Sequence, residues 1–237
     1  MANVNTNGYT VGFAIGMAVI VATLLASVSV GLQPMQDVNK ALEKKKNLIS
    51  AVGVDIEAEG FDVDAYFEEK FDGFVVNIEG ENIGDKASAF EVDLEKQVKI
   101  ADKSARSFPV FVYKGESGDQ YVLQARGAGL WDAIWVYLAV DADLNTVKGV
   151  RFGHKGETPG LGAEIKDSPS FYEQYTGKTL FEGDEFVGVS IVKGAAPEGA
   201  MHKVDGISGA TMTCNGVNDM ITDGIGDYLG FINKTRK

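Results

Sequence analysis

The most apolar stretch of the chain lies near its N-terminus and carries no charged residue. It runs from Thr10 to Leu32. A helix of that length, at about 1.5 Å per residue, crosses the roughly 30 Å hydrocarbon core of a bilayer. We therefore predict a tail over residues 1–8 and a membrane-spanning helix over residues 9–32. The alternatives are a buried helix of a soluble protein and a cleaved signal peptide, although the basic residues that begin a signal peptide are missing here.

Beyond this span, helical and extended patterns succeed one another. Gln33-Pro34 is predicted to end the span, and a second helix is predicted over residues 38–52, with Gly53 at its end. A short helix is predicted over residues 170–177. Alternation of apolar and polar positions predicts six strands, at residues 74–78, 109–113, 121–126, 134–141, 147–154 and 187–191. The second and third of these strands form one hairpin, and the fourth and fifth form another.

The last amphipathic pattern of the chain is the most regular. Apolar side chains recur with a 3.6-residue period, which predicts a helix with one buried face. The residues on that face are Val217, Met220, Ile221, Ile225, Tyr228, Leu229 and Ile232. Hairpins combined with scattered helices favour an α+β fold over a doubly wound parallel sheet.

Composition and charge exclude several classes of function. The formal net charge is −12, and no basic patch stands out, which argues against nucleic-acid binding because that affinity depends on neutralising phosphates. Cys214 is the single cysteine, so an internal disulfide, a cysteine-ligated cluster and a structural zinc site are excluded. The two histidines, His154 and His202, are too few for a histidine-rich metal site, and we predict no metal.

A loop of small residues, 205–213, leads directly into the last helix. Such a loop can bind an anion, because the first N–H groups of a helix are unpaired and the helix dipole is positive there. Gly206, Gly209 and Ala210 let a phosphate approach the backbone. Hydroxyl groups are added by Ser208, Thr211 and Thr213. Taken alone, the same pattern also fits an ordinary glycine turn with a Ser or Thr cap.

The run D-G-I-S-G-A-T, from Asp205 to Thr211, resembles the flavinylation motif of the FMN-binding domain family. In that family the last threonine carries flavin mononucleotide (FMN) through a phosphoester, attached by a separate flavin transferase that uses FAD. The resemblance implies that Thr211 is the covalent attachment residue, with Asp205, Ser208, Gly209 and Ala210 around it. A neutral threonine hydroxyl is a weak nucleophile, so the need for an outside enzyme is chemically reasonable.

A second motif, E-T-P-G-L-G at residues 157–162, resembles the same family. A Pro-Gly pair also predicts a plain turn, and such a turn can form one wall of a flavin pocket. His154 precedes the motif, and it either lines the pocket or is a hydrogen-bonded structural histidine. The resemblance places Glu157, Thr158 and Leu161 near the isoalloxazine ring or the ribityl chain. Gly160 and Gly162 are predicted with them as cofactor-binding residues.

The third motif, G-A-G-L-W at residues 127–131, resembles the C subunit of the sodium-translocating NADH:quinone oxidoreductases. The G subunit of Rnf complexes shares the flavinylation motif but matches less well. Trp131 either stacks on the flavin or belongs to the core. Lys193 is a phosphate contact or a solvated lysine, and Cys214 is expected to be a small packed residue.

The resemblance extends over essentially the whole chain and implies a function. It implies an electron-relay subunit of a sodium-pumping NADH:quinone oxidoreductase, working with other subunits and without catalytic residues of its own. Residues 33–126 would form a membrane-proximal region and residues 127–237 the FMN-binding domain. The alternatives are an FMN-carrying subunit of an Rnf-type complex, and a membrane-anchored binding or assembly module that does not use its flavin motif.

The orientation in the membrane is a point on which two arguments disagree. Lysines 40, 44, 45 and 46 follow the span and, by the positive-inside tendency, place the following domain in the cytoplasm. The family resemblance instead implies a single-pass protein of the bacterial inner membrane whose FMN domain lies on the periplasmic side, where the flavin transferase works. We adopt the family orientation as the prediction.

Overall fold

The computed structural model describes residues 6–116 and 118–236, which divide into two compact units between Lys44 and Lys45. Helix α1, Asn7–Ala51, begins in the first unit and ends in the second. Among the described helices it is the one that is long and apolar enough to cross a membrane, with a mean hydropathy of 2.4 in its most apolar window. This helix contains the predicted span.

Helix α1 differs from the prediction at its middle and agrees with it at its end. Pro34 lies inside the helix, so the predicted break there was wrong. A proline removes one backbone hydrogen bond, and here the helix continues through Pro34 although Gly31 lies one turn before it. The C-terminal end is as predicted, because Gly53 has a φ of +83° and its N–H donates to the carbonyl of Ser50. The N–H of Val54 donates to the carbonyl of Ile49, which completes the usual glycine-terminated helix end.

The second unit is built on a six-stranded antiparallel sheet with the strand order β2-β1-β3-β4-β5-β6. The register pairs Val110 with Leu123 and Leu138 with Val150, so both predicted hairpins are confirmed. Strand β1 begins three residues before the predicted strand 74–78. The strands are β1 Phe71–Val76, β2 Asn82–Gly84, β3 Phe108–Gly115, β4 Gly118–Ala128, β5 Ala133–Val140 and β6 Val147–His154.

Helices cover both faces of this sheet. One face, which includes Val110 and Leu123, forms the main core with the C-terminal helices. Phe111 is also fully buried, and its ring lies 6.1 Å from that of Phe67 in α2. This arrangement confirms the predicted α+β class. The remaining helices are α2 Val63–Lys70, α3 Lys86–Glu91, α4 Leu94–Gln97, α5 Glu164–Asp167, α6 Pro169–Tyr172, α7 Thr211–Asp219 and α8 Leu229–Thr235.

The C-terminal helical segment is continuous but not uniformly α-helical. A π-helical turn, Met220–Ile225, and a 3-10 turn, Gly226–Tyr228, connect α7 with α8. Six of the seven predicted face residues are buried, and the seventh, Leu229, is half-buried. At Gly224 a Cβ atom would lie only 2.7 Å from that of Ala125, so the glycine lets this segment lie directly on β4.

Two further pairs of short strands lie outside the main sheet. Strands β7 Phe181–Glu182 and β8 Glu185–Phe186 form a hairpin, and β9 Ser190–Ile191 pairs in parallel with β10 Lys203–Val204. Of the predicted strand 187–191 only the last two residues form β9, because β10 offers a partner of just two residues. The domain boundary proposed at residue 127 falls inside β4, so both proposed segments contribute strands to one sheet.

Candidate functional site

The predicted attachment residue, Thr211, is the first residue of α7, and its side chain is exposed. Ala210 occupies the cap position and makes no side-chain hydrogen bond to the first turn. The alternative of a Ser or Thr cap is therefore not what the structure has. The first N–H groups of α7 have no side-chain cap and lie at the positive end of the helix dipole, where an anion can bind.

An open pocket of about 560 Å³ lies beside Thr211. Lys193 is the one basic side chain that lines it, and its ammonium group makes no ion pair or hydrogen bond with any residue that the structure describes. Burial raises the pKa of the Cys214 thiol, which agrees with the predicted packing role. The lining residues are Ile191, Val192, Lys193, Gly194, Gly206, Ile207, Ser208, Gly209, Thr211, Cys214 and Asn215.

Glu157 joins the three motifs through its carboxylate, which is almost fully buried. Thr213 of α7 donates its hydroxyl to Oε2 at 2.6 Å, and the N–H of Trp131 donates to Oε1 at 3.0 Å. Burial alone would raise the pKa of Glu157, but these hydrogen bonds, with further N–H groups of Leu130 and Asp132, outweigh it and hold the pKa below its usual value. The carboxylate is therefore ionised and serves to position the surrounding backbone.

Glycines bring the E-T-P-G-L-G turn against the loop before α7. Gly209 has a φ of +78°, and a Cβ atom there would lie 2.6 Å from Cδ2 of Leu161. At Gly162 a Cβ atom would lie 2.4 Å from Oε2 of Glu157 and 2.5 Å from the hydroxyl oxygen of Thr213. A side chain at Gly162 would displace the buried Glu157–Thr213 pair, whereas one at Gly209 would displace the exposed side chain of Leu161.

Trp131 lies on the surface, with 69% of its area exposed, so the core alternative is wrong. Its indole N–H donates to the hydroxyl of Thr158 at 3.2 Å. Leu161 and Met212 also expose large apolar areas. Trp131 lines a separate pocket of about 540 Å³, together with residues that include Arg126, and it does not line the Thr211 pocket.

The other predicted site residues have structural partners. Gly160, with a φ of +74°, forms the predicted Pro-Gly turn, and its N–H donates to Glu164. The N–H of Glu157 donates to Nδ1 of His154 at 3.2 Å, and His154 does not line the Thr211 pocket. The carboxylate of Asp205 accepts the N–H of Ala196 at 2.7 Å and holds the shape of its loop. His154 and Asp205 are thus placed to support the loops behind the pocket.

Comparison with known proteins identifies the family. Residues 129–226 match the family described as the FMN-binding domain. The C subunit of the Na(+)-translocating NADH-quinone reductase of Vibrio alginolyticus is 33% identical, over 89% of this chain and 88% of its own length. Its counterpart from Pseudomonas aeruginosa is 31% identical over 99% of both. The crystal structure of the counterpart from Parabacteroides distasonis, 34% identical, has a TM-score of 0.75 and covers 85% of this chain and 96% of that one.

This chain belongs to the family of these C subunits. The resemblance that the three motifs suggested is therefore confirmed, as is the presence of an FMN-binding domain. The side chains of the domain also suit FMN by their chemistry. An uncapped helix end, an exposed hydroxyl and an unpaired lysine suit a phosphate, and exposed Trp131 and Leu161 suit a flat aromatic ring.

Two residues position the site by contacts that were not predicted from the sequence, and Thr213 was predicted only as a hydroxyl of the anion-binding loop. Thr213 is the partner of the buried Glu157 carboxylate, from which it is separated by 56 residues. Asn218 accepts the N–H of Ile191 at 2.7 Å and donates to its carbonyl at 3.0 Å, which fixes α7 against the pocket wall. Asn218 could have been recognised as a polar residue beside the apolar positions Val217 and Ile221.

Proposed function

We propose that this protein carries FMN as a phosphoester on the hydroxyl oxygen of Thr211 and relays single electrons within a sodium-translocating NADH-quinone reductase. The observation that carries the proposal is the exposed Thr211 hydroxyl at the uncapped start of α7, inside the matched FMN-binding domain. The relatives' names supply the reductase and its sodium translocation. The apolar part of α1 anchors the chain in the membrane as a single span.

The attachment reaction requires a separate flavin transferase and FAD. The Thr211 oxygen would form a bond to the phosphorus atom next to the riboflavin part of FAD. The pyrophosphate bond breaks, AMP leaves, and the hydroxyl proton is released. Thr211 is suited to this reaction because its side chain is exposed, which gives an enzyme access to the hydroxyl.

Two groups of side chains would hold the two ends of the cofactor. Near Thr211, the first N–H groups of α7 and the ammonium group of Lys193 would neutralise the phosphodiester charge. Trp131, Thr158 and Leu161 would contact the ring or the ribityl chain, with the Glu157 carboxylate fixing their backbone from behind. The flavin itself supplies the one-electron chemistry, and the chain positions it.

We propose that the chain does not turn over a substrate by itself. The ionised Glu157 is engaged on both of its oxygens, so we assign it a positioning role. The chain therefore needs redox partners, which we take to be other subunits of the same membrane complex, and a transferase for maturation. We propose that residues 127–237 form the flavin-carrying part and that they lie on the periplasmic side of the bacterial inner membrane.

The test replaces the attachment hydroxyl. Thr211→Ala, produced together with the native flavin transferase, is expected to lose all flavin fluorescence in a denaturing gel under ultraviolet light, because it removes the proposed attachment oxygen. Thr222→Ala is the matched control, since Thr222 is another exposed threonine of the same helical segment. It is expected to keep the fluorescent band.

Peptide mapping by mass spectrometry completes this test. In the unsubstituted protein, the peptide that contains Thr211 should carry the mass of FMN less one water. Covalent flavin that persists in Thr211→Ala would show that another residue is the acceptor. An unmodified Thr211 in protein made with an active transferase would reject covalent attachment altogether.

A further inference from the structure

The main sheet has an incompletely covered edge at β1. The edge strand β2 pairs with Val75 and Val76 only, at its residues Gly84 and Asn82. The first half of β1 is paired with β3 on one side, and the register gives it no strand on the other. The segment from Asp72 to Phe74 therefore has no strand on its outer side, in line with β2, where Asp72 is exposed, Phe74 is half-buried and Gly73 is buried.

This edge forms one side of the largest of the three pockets described for this chain, a groove of about 810 Å³. The half-buried rings of Phe74 in β1 and Phe90 in α3 line the groove, together with Phe67 of α2, which is fully buried. Gly84 lies at the end where β2 begins to cover the edge, and the exposed Ala87 lies on the α3 side. None of the residues predicted for the flavin site lines this groove.

The backbone of the open edge can form strand hydrogen bonds. The N–H of Gly73 donates to the carboxylate of its neighbour Asp72 at 2.8 Å. Successive residues of an antiparallel strand direct their N–H groups to alternate sides. Because the N–H of Gly73 bonds to Asp72, it is on the side of β1 that faces away from β3. Gly73 has no side chain to keep another backbone away. An incoming strand would take over the N–H that Asp72 now holds.

The charges of the groove favour a basic occupant. Its two lysines, Lys45 and Lys86, are already neutralised, since both form ion pairs with Glu68 at 3.6 and 2.9 Å. They also lie 5.3 and 5.0 Å from the centre of the Phe67 ring. The acidic residues Asp72, Asp85 and Glu91 of the lining form no ion pair with any residue in the described part of the chain.

We propose that this groove, which we call the β1 groove, binds an extended, basic and partly apolar segment of another polypeptide of the complex. The segment adds a strand beside Asp72–Phe74, continuing the line of β2, so that backbone hydrogen bonds provide affinity and Phe74 and Phe90 receive alternate side chains. Lysine or arginine side chains of the segment pair with Asp72, Asp85 or Glu91. This docking does not involve the flavin and goes beyond the proposed electron relay.

Photochemical cross-linking within the assembled complex tests the occupant. A photoreactive benzoylphenylalanine is introduced at Ala87 in the full chain, and at Ala105 as a matched control, because both alanines are exposed in short helical turns and only Ala87 lines the groove. We expect a cross-link from position 87, and none from position 105, to one segment of another subunit. A cross-link to a second copy of this chain, no cross-link, or equal cross-linking from both positions would overturn the proposal.

Hydrogen exchange tests the added strand. The amide of Gly73 is expected to exchange at least tenfold more slowly in the complex than in the isolated full chain, and Glu91→Lys is expected to reduce that difference. Equal exchange in the two states contradicts strand addition. The experiment is repeated with Thr211→Ala, which is expected to behave as the unsubstituted chain does, so a failure of the flavin proposal leaves this result interpretable.

Discussion

At the scale of single residues, the position of Glu157 is the least expected feature. A buried carboxylate without a basic partner is costly, and here hydrogen bonds from Thr213, Trp131 and neighbouring N–H groups compensate for that cost. The sequence places Glu157 in a turn motif that resembles the FMN-binding domain family, and this resemblance predicts that Glu157 lies near the flavin. The structure instead has both oxygens directed at protein donors.

Glu157→Gln is expected to lower the free energy of unfolding at neutral pH by about 1–3 kcal/mol, because an amide has one acceptor oxygen where the carboxylate has two. The folded-state pKa of Glu157 lies below the unfolded value. Its stabilisation is therefore complete above about pH 4.3 and is lost as the pH falls through the folded-state pKa. The variant should lose less stability than the unsubstituted chain over that acidic range.

Urea unfolding at several pH values measures both effects. Glu173→Gln, at an exposed position, serves as the control and should change stability by less than about 0.5 kcal/mol. Identical pH dependence in Glu157→Gln and the unsubstituted protein would contradict an ionised, hydrogen-bonded Glu157.

At the scale of elements, the contact between two glycine-containing loops sets the geometry of the flavin site. Gly209 and Gly177 have nearly equal φ values, +78° and +80°, but a Cβ atom would meet Leu161 only at Gly209. Gly209→Ala and Gly177→Ala therefore share the same backbone strain of about 1–2 kcal/mol. Thermal unfolding should show a larger loss in Gly209→Ala, together with reduced flavin incorporation. Equal effects of the two substitutions would mean that the contact with Leu161 is unimportant.

The packing of the C-terminal helices on the sheet offers a second comparison, between two fully buried tyrosines. The hydroxyl of Tyr228 accepts the N–H of Gln124 and reaches the carbonyls of Gln124 and Pro109, where pairing between β3 and β4 ends because proline has no N–H. The hydroxyl of Tyr175 has no partner among the described residues. Removal of the Tyr228 hydroxyl would therefore leave buried backbone groups without a hydrogen-bond partner, whereas removal of the Tyr175 hydroxyl would not.

Tyr228→Phe is expected to destabilise the domain by about 1–3 kcal/mol, because it leaves buried backbone groups unpaired. Tyr175→Phe is expected to be neutral or stabilising, since it removes a buried polar group that gains nothing in the folded state. Denaturant unfolding of both variants checks the pair. A destabilisation of Tyr175→Phe as large as that of Tyr228→Phe would imply a hydrogen-bond partner for Tyr175.

At the scale of the whole molecule, the orientation of the chain decides how it is matured. We expect protease added to intact spheroplasts to digest the sheet domain, because the proposed transferase acts outside the cytoplasm. A cytoplasmic marker protein should survive in the same sample and be digested after detergent is added. Protection of the sheet domain in intact spheroplasts would instead favour the orientation indicated by Lys40 and the lysines near it.

Periodicity was sufficient to predict the two hairpins and the last helix, and insufficient to predict several short elements and the contacts between distant segments. The two hairpins and the last helix follow from patterns within ten to twenty residues, and the structure has them in place. Strand β2 has three residues, too few for alternation to be recognised. The contact of Glu157 with Thr213 joins distant segments, and no local pattern specifies which hydroxyl meets which carboxylate. The three flavin motifs were found through resemblance, and the structure explains why they occur together.

The exposed position of Thr211 on a helix already packed into the core bears on the order of events in the cell. Val217 and other residues of α7 lie in the main core, whereas Thr211 at the start of the same helix is exposed. Under the proposed attachment, a transferase can reach the Thr211 hydroxyl in the folded domain, so attachment can follow folding. A cell short of riboflavin would accumulate folded, unmodified protein, and a later supply of the vitamin would convert this stored pool without new synthesis. The amount of flavin-carrying protein would thus depend on the riboflavin supply after the chain has folded.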